Sequence, residues 1–311
     1  MNVQQLKYII SVGETLSFGK AAEKCFVTQP TLSTMIARFE DEIGIIVFDR
    51  KTKPITITKE GEKIINQLKV VIKELENLDE ISNDLKGVIS GSLSIGVIPT
   101  VAPFLLPLFL NEFIQKNPKI HFEISEITTE KIISELQNRT LDIGILSTPL
   151  ENPNFIEIPL YNEPFLLYDR ADRSKGMVRD INNIDSDRLW LLDEGHCMRT
   201  QVEAICSLKK RRAIKSNMEY KSGTIDTLMR FVRKNYGVTL LPYLSTIDFL
   251  EEEAVFLKKF KAPVPVRAIS LVVHKHFVKK KILDLLKLEI LNCINPLLQQ
   301  RKAEERMISP I

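Results

Sequence analysis

An α/β protein with an N-terminal all-α winged helix-turn-helix is the fold class this sequence predicts, and three observations carry it. Residues 1–58 hold apolar stripes at helical spacing, then two alternating runs around a basic turn. Residues 59–86 contain no proline and repeat an apolar seam at heptad steps. Beyond Gly91, apolar strand-like runs alternate with helical stretches, which implies a largely parallel sheet covered by helices.

Leu6, Ile9 and Ile10 give a first helix its apolar face, and a second runs from 18 to 25 around Ala21 and Ala22. Thr28 is a candidate N-cap, with Gln29 and Pro30 in the first turn, where a missing N–H does no harm. Leu32, Ile36, Phe39 and Ile43 form the inward stripe of the third helix, which Gly44 ends. Gln29, Thr31, Ser33, Thr34 and Arg38 remain outward, a face able to enter a major groove of about 12 Å and meet base edges and phosphates. Residues 47–50 and 55–58 alternate like strands about Lys51-Thr52-Lys53-Pro54, a wing with a basic tip. The candidate DNA-binding set is therefore Ser17, Thr28, Gln29, Pro30, Thr31, Ser33, Thr34, Arg38, Arg50 and Lys53. Any small three-helix unit needs a polar outer face, and seven basic against six acidic side chains in residues 1–58 do not decide for nucleic acid.

From 59 to 86, Ile64, Leu68, Val71, Leu75 and Leu78 repeat at steps of 4, 3, 4 and 3, widened by Ile65, Ile72 and Ile81. Such a helix beside a helix-turn-helix most simply dimerises, since two-fold symmetry sets half-site spacing on DNA. The alternative is that the seam packs on its own domain. Gly87 and Gly91 mark a linker. Strands are then expected at 93–98, 121–127, 141–146, 189–192, 237–242 and 269–273, with helices up to 115 and at 130–138, 224–234 and 278–298. Two such lobes leave a cleft where strand ends meet helix starts.

In the stretch LLDEGHCMRTQVEAIC, Cys197 and Cys206 stand nine positions apart behind Gly195-His196. If the residues between are helical, a rise of ~1.5 Å per residue separates the two by roughly 13 Å. A disulfide needs its Cα atoms within about 7 Å. A pair held apart in one packing and joined when the segment unwinds would make a redox switch; two small buried hydrophobes are the plainer reading. Cys197 stands where the helical pattern begins, so oriented N–H groups are expected to stabilise its thiolate. Cys25 and Cys293 read as packing residues.

A 44% hydrophobic, 27% charged chain of 311 residues has the composition of ordinary globular domains, two or three of them. The amino terminus has no signal-peptide pattern, and no apolar run reaches the ~18 residues of a membrane span. Four cysteines without CxxC spacing fit neither a secreted scaffold nor a zinc site, so a reducing cytoplasm is expected, with no metal and no cofactor. A net charge of +3 is too small to announce a polyanion partner, and DNA binding must come from local arrangement.

The run LSFGKAAEKCFVTQPTLSTMIARFEDEIGIIVFDR, the long helix and the two-lobed part with its YGVTLLP run resemble the LysR-type transcriptional regulators over nearly all 311 residues. IPTVAPFLLP, FIEIPLYNEPFLL and above all GHCMRTQVEAIC resemble the hydrogen-peroxide-sensing group of that family. The resemblance implies a winged helix-turn-helix DNA-binding domain at 1–58, a linker and dimerisation helix at 59–89, and a two-lobed, periplasmic-binding-protein-like regulatory domain at 90–311. It implies double-stranded DNA, a homodimer or homotetramer, RNA polymerase as partner, hydrogen peroxide as effector, and no enzymatic turnover. Cys197 takes the place of the peroxidatic cysteine and Cys206 that of the resolving one. Thr100, Thr129 and His196 take the places of groups around the peroxide, with Thr128 a nearby substitute for Thr129, and Arg267 that of an arginine steadying the thiolate. The chain departs from the pattern at Thr200, at the basic tract 209–212, and at Thr34 and Ala37 of the recognition helix. Two other readings remain: a LysR-type regulator with a metabolite in its cleft and silent cysteines, and a thiol peroxidase using the pair alone.

Overall fold

The computed structural model describes residues 1–85, 90–171, 178–181, 184, 186–193, 195, 197–206, 222–298 and 304–310. The chain divides into two compact units, Met1–Val88 with Gln137–Thr140, and Ile89–Leu136 with Leu141–Ile311.

In the first unit, helix α1 (Val3–Thr15) starts from a capping box between Asn2 and Gln5. Ser17 caps α2 (Phe18–Lys24) and Thr28 caps α3 (Gln29–Ile43), its hydroxyl accepting from Thr31 N–H, while Gly44 ends α3 at φ 68. Leu6, Ile9, Val12, Ala21, Leu32, Ile36 and Phe39 close the core between the three helices. Strands β1 (Phe48–Asp49) and β2 (Thr56–Ile57) pair antiparallel and are shorter than the alternation suggested. Glu40 of α3 is buried and accepts from Val47 N–H at 2.7 Å and Phe48 N–H at 3.1 Å, and its other oxygen pairs with Arg50 Nη2 at 2.7 Å. Helix and wing are thereby stapled together. Helix α4 (Lys59–Leu85) divides the heptad seam between two jobs. Ile65 and Leu68 are buried against the head with Ile64 and Ile72, whereas Val71, Leu75, Leu78 and Ile81 are exposed. Leu68 is therefore not the free seam residue its spacing suggested.

In the second unit the elements run β3 (Gly91–Val97), α5 (Ala102–Lys116), β4 (Ile120–Glu126), α6 (Thr129–Gln137), β5 (Ile143–Thr148), β6 (Phe155–Tyr168), β7 (Val178–Arg179), α7 (Cys197–Ile205), α8 (Ile225–Arg233), β8 (Thr239–Pro242), α9 (Glu251–Ala254), β9 (Leu257–Phe260), β10 (Val264–His274), α10 (Lys280–Leu298) and β11 (Glu305–Met307). The sheet order is β4-β3-β5-β10-β6-β9-β7, with β8 beside β6 and β11 beside β10. Strands β3, β4 and β5 obey the parallel rule expected of alternating strands and helices, and β10 with β11 and β7 with β9 also pair parallel. The long strand β10 runs antiparallel to both β5 and β6, so the sheet is mixed. Residues 189–192 form single bridges, Leu189 to Val238 and Leu192 to Ser222, instead of a strand. Two apolar cores result. One gathers Leu93, Ile95, Ile143, Leu271 and Leu286; the other gathers Phe165, Leu167, Met198, Val202, Ile205 and Leu240. Strand β6 contributes to both and so carries the chain from lobe to lobe, while β10 gives its apolar residues to the first. Among the described residues, no helix is long and apolar enough to cross a membrane.

Candidate functional site

The first residue of α7 is Cys197, reached through Gly195 at φ 91, a left-handed conformation that glycine adopts without a Cβ penalty. Its side chain is buried and counts with the first lobe's core, although Met198, Val202 and Ile205 of the same helix belong to the second. Burial pushes the Cys197 thiol above its ordinary pKa; the Thr129 hydroxyl, the charge of Arg267 and the N–H groups of Met198 and Cys197 all pull it down without prevailing. The expected thiolate stabilisation by the helix start is therefore present but outweighed: desolvation, invisible in sequence, is the larger effect.

Two side chains act on the sulfur, Thr129 and Arg267, and the second of them holds Thr100. Arg267 of β10 is 1% exposed and faces Glu163 of β6 across the ladder, its Nε at 2.9 Å and Nη2 at 2.7 Å from Glu163 Oε2. Nη1 donates to Thr100 Oγ1 at 2.9 Å, and Nη2 donates also to Thr100 O at 3.0 Å. Glu163 also accepts from Leu244 N–H at 2.8 Å, and the Phe165 ring lies 5.9 Å from the guanidinium carbon. A buried ion pair is tolerable when its remaining donors and acceptors are filled in this way. Because Arg267 donates to Thr100 Oγ1, the Thr100 hydroxyl keeps its own hydrogen to give elsewhere. Thr129, at the start of α6, lies near enough to lower the Cys197 pKa, yet its buried Oγ1 has no hydrogen-bond partner of good geometry among the described residues. A thiolate or a small oxygen ligand would supply one. Thr128 instead caps α6, its hydroxyl accepting from Lys131 N–H at 3.4 Å.

Cys206 directly follows α7, its N–H donating to Val202 O at 3.0 Å, and packs half-buried on the second lobe's core. Both cysteines are free thiols at opposite ends of one nine-residue helix. His196 and the basic tract 209–212 lie outside the described residues; Thr200 is exposed. Glu163 and Phe165 escaped the sequence reading. The signal was there: FIEIPLYNEPFLL sets two carboxylates, Glu157 and Glu163, in an apolar strand, and a carboxylate buried in such a strand requires a cation or other donors.

On the head, Thr28, Gln29, Pro30, Thr31, Thr34, Arg38, Arg50 and Lys53 are exposed, Ser33 and Ser17 partly so. Arg50 is committed to structure as well, bound to Glu40, donating to Ser33 Oγ at 3.3 Å and lying 5.0 Å over the Phe18 ring. No group of three or more His, Cys, Asp or Glu among the described residues could hold a metal ion.

Residues 3–62 match the family model of the bacterial regulatory helix-turn-helix protein, lysR family, and residues 86–287 that of the LysR substrate binding domain. This chain belongs to the LysR family. Within that family it is 32% identical over 277 residues to the hydrogen peroxide-inducible genes activator of Pectobacterium carotovorum, covering 88% of this chain and 90% of that one. A full-length OxyR variant of Pseudomonas aeruginosa has a similar structure, with a TM-score of 0.76 at 28% identity over 94% of this chain and 98% of the other. So does a Corynebacterium glutamicum OxyR mutant bound to hydrogen peroxide, with a TM-score of 0.61 at 25% identity over 96% and 94%. The helix-turn-helix model begins and ends within the winged head and the start of α4, and the second model spans both lobes.

Proposed function

We propose that this LysR-family regulator senses hydrogen peroxide through a reversible Cys197–Cys206 disulfide and passes the change to double-stranded DNA. One observation carries the reading: a buried cysteine at a helix start, acted on by the charge of an arginine that also holds the Thr100 hydroxyl, and by the Thr129 hydroxyl, whose oxygen has no hydrogen-bond partner among the described residues. The Cys197 thiolate attacks one peroxide oxygen; an S–O bond forms, the O–O bond breaks, and the departing hydroxide takes a proton to leave as water. Thr100 and Thr129 orient the two oxygens, and His196 is the proton donor. The Cys206 thiolate then attacks the sulfenic sulfur, an S–S bond forms, and the second hydroxide leaves as water. Two thiols and one peroxide have become one disulfide and two waters. Because the cysteines begin at opposite ends of α7, the bond requires that helix to open. A second packing of the lobe follows, which respaces the DNA-reading heads.

The head at 1–58 reads a pseudo-palindrome with α3 and the wing, and the linker segment at 59–89 pairs two chains through Val71, Leu75, Leu78 and Ile81 of α4. A homodimer, or a homotetramer of two such pairs, acts on RNA polymerase in the cytoplasm without catalytic turnover. The test is stoichiometric peroxide followed by peptide mass spectrometry and footprinting. Wild type is expected to form the Cys197–Cys206 disulfide and change its footprint, Cys206→Ser to stop at the sulfenic acid, and Cys197→Ser to do neither. A wild-type protein whose two thiols survive excess peroxide would favour a metabolite sensor instead.

A further inference from the structure

Past α10 the chain returns to the regulatory unit as a short strap. Strand β11 pairs parallel with the start of β10, Val264 opposite Glu305 and Val266 opposite Met307, just before Arg267. The pairing is fixed at both ends, Val264 N–H donating to Glu304 O at 2.8 Å and Ile308 N–H to Val266 O at 2.8 Å, and Asn162 Nδ2 binds Glu305 Oε2 at 2.8 Å. Although residues 305–307 are exposed, Ile308 is 4% exposed and joins the core formed by Met198, Val202 and Ile205 of α7. Its carbonyl meets α7 directly: Gln201 Nε2 donates to Ile308 O at 2.9 Å and to Ser147 Oγ at 3.1 Å. Both amide hydrogens of this wholly buried glutamine are thus committed, one to the strap and one to strand β5.

We propose that the strap, acting through Gln201, is a clamp that holds α7 in its helical form and thereby sets how readily the two cysteines join. The inference rests on the disulfide reading given above. Gln201 lies between the cysteines, and closing roughly 13 Å of helix to the ~7 Å a disulfide allows carries its side chain off both acceptors. The interaction therefore belongs to the dithiol state alone, and losing it favours the disulfide. The balanced reaction is unchanged: two thiols give up two electrons and two protons to an oxidant, and an S–S bond forms.

Full-length protein, a variant ending at residue 303, Gln201→Met and the combination are equilibrated in graded dithiothreitol buffers and scored by thiol alkylation and mass spectrometry. The truncation and Gln201→Met are each expected to move the equilibrium at least tenfold toward the disulfide, a midpoint about 30 mV more negative. Together they are expected to move it hardly further, because they break one shared contact. A role confined to folding would weaken both redox states alike and leave the midpoint in place. Should the truncated chain fail to fold, Gln201→Met and Ile308→Ala carry the comparison, the second with a smaller shift of the same sign. Unchanged midpoints, or fully additive shifts, overturn the clamp. A wild-type protein that forms no Cys197–Cys206 disulfide overturns the sensor reading on which it stands.

Discussion

Replacing Arg267 by Met keeps most of the side chain's volume and deletes the charge that organises the candidate site. Glu163 would stay buried at 1% exposure with only the Leu244 N–H to meet it. Removing one member of a buried pair in this way costs about 3–5 kcal/mol. For a unit of 150–250 residues each kcal/mol is worth about 2–4 °C, so the reduced protein is expected to melt roughly 6–20 °C lower. Fluorescence of the single tryptophan, Trp190, which packs half-buried against the second lobe's core, reports that transition. The reaction with peroxide should slow as well, because Thr100 loses the donor that orients it and Cys197 loses a cation that lowers its pKa. A charge-assisted hydrogen bond is worth about 1.5–3 kcal/mol, or roughly ten- to hundredfold in rate. Arg267→Lys, which keeps the charge without the planar fork, should fall between. An Arg267→Met protein that melts within about 2 °C of wild type and consumes peroxide at the same rate would refute the reasoning.

Burial keeps the Cys197 thiol protonated above its usual range, so thiolate is the minor form at neutral pH and the peroxide reaction should accelerate about tenfold per unit between pH 6 and 8. Stopped-flow Trp190 fluorescence would record it, and a flat profile would mean that the thiolate is already formed. Leu75→Glu with Leu78→Glu should give folded monomers in sedimentation, since both side chains are exposed on α4; Leu68→Glu should instead unfold the head. Arg38→Ala should weaken duplex binding in anisotropy, and Lys53→Ala should lower the salt slope by about one unit.

The readings that held were local. Thr28 as a cap, Gly44 as a stop and the stripe through Leu32, Ile36 and Phe39 depend on neighbours within a few positions, and sequence displays such neighbours directly. Pairing between β6 and β10 joins segments about a hundred residues apart, which no run of alternation reveals, and so the expected parallel sheet came out mixed. Leu68 and Val71 look alike in the heptad, but whether one side of a helix meets its own domain is a tertiary fact. The candidate site divides in the same way. The helix between the two cysteines could be read from spacing, whereas the desolvation of Cys197 and the ladder pair of Arg267 with Glu163 arise only once distant strands lie side by side.

Glu40 has a consequence for how any signal can alter the reading of DNA. With one carboxylate oxygen on the N–H groups of Val47 and Phe48 and the other on Arg50, it ties α3 to the wing. The head is a rigid stamp. Whatever reaches it through the rest of the chain can shift where the stamp lands but not the face it prints, so in the proposed dimer the choice among operators becomes a question of how far apart the two stamps are held.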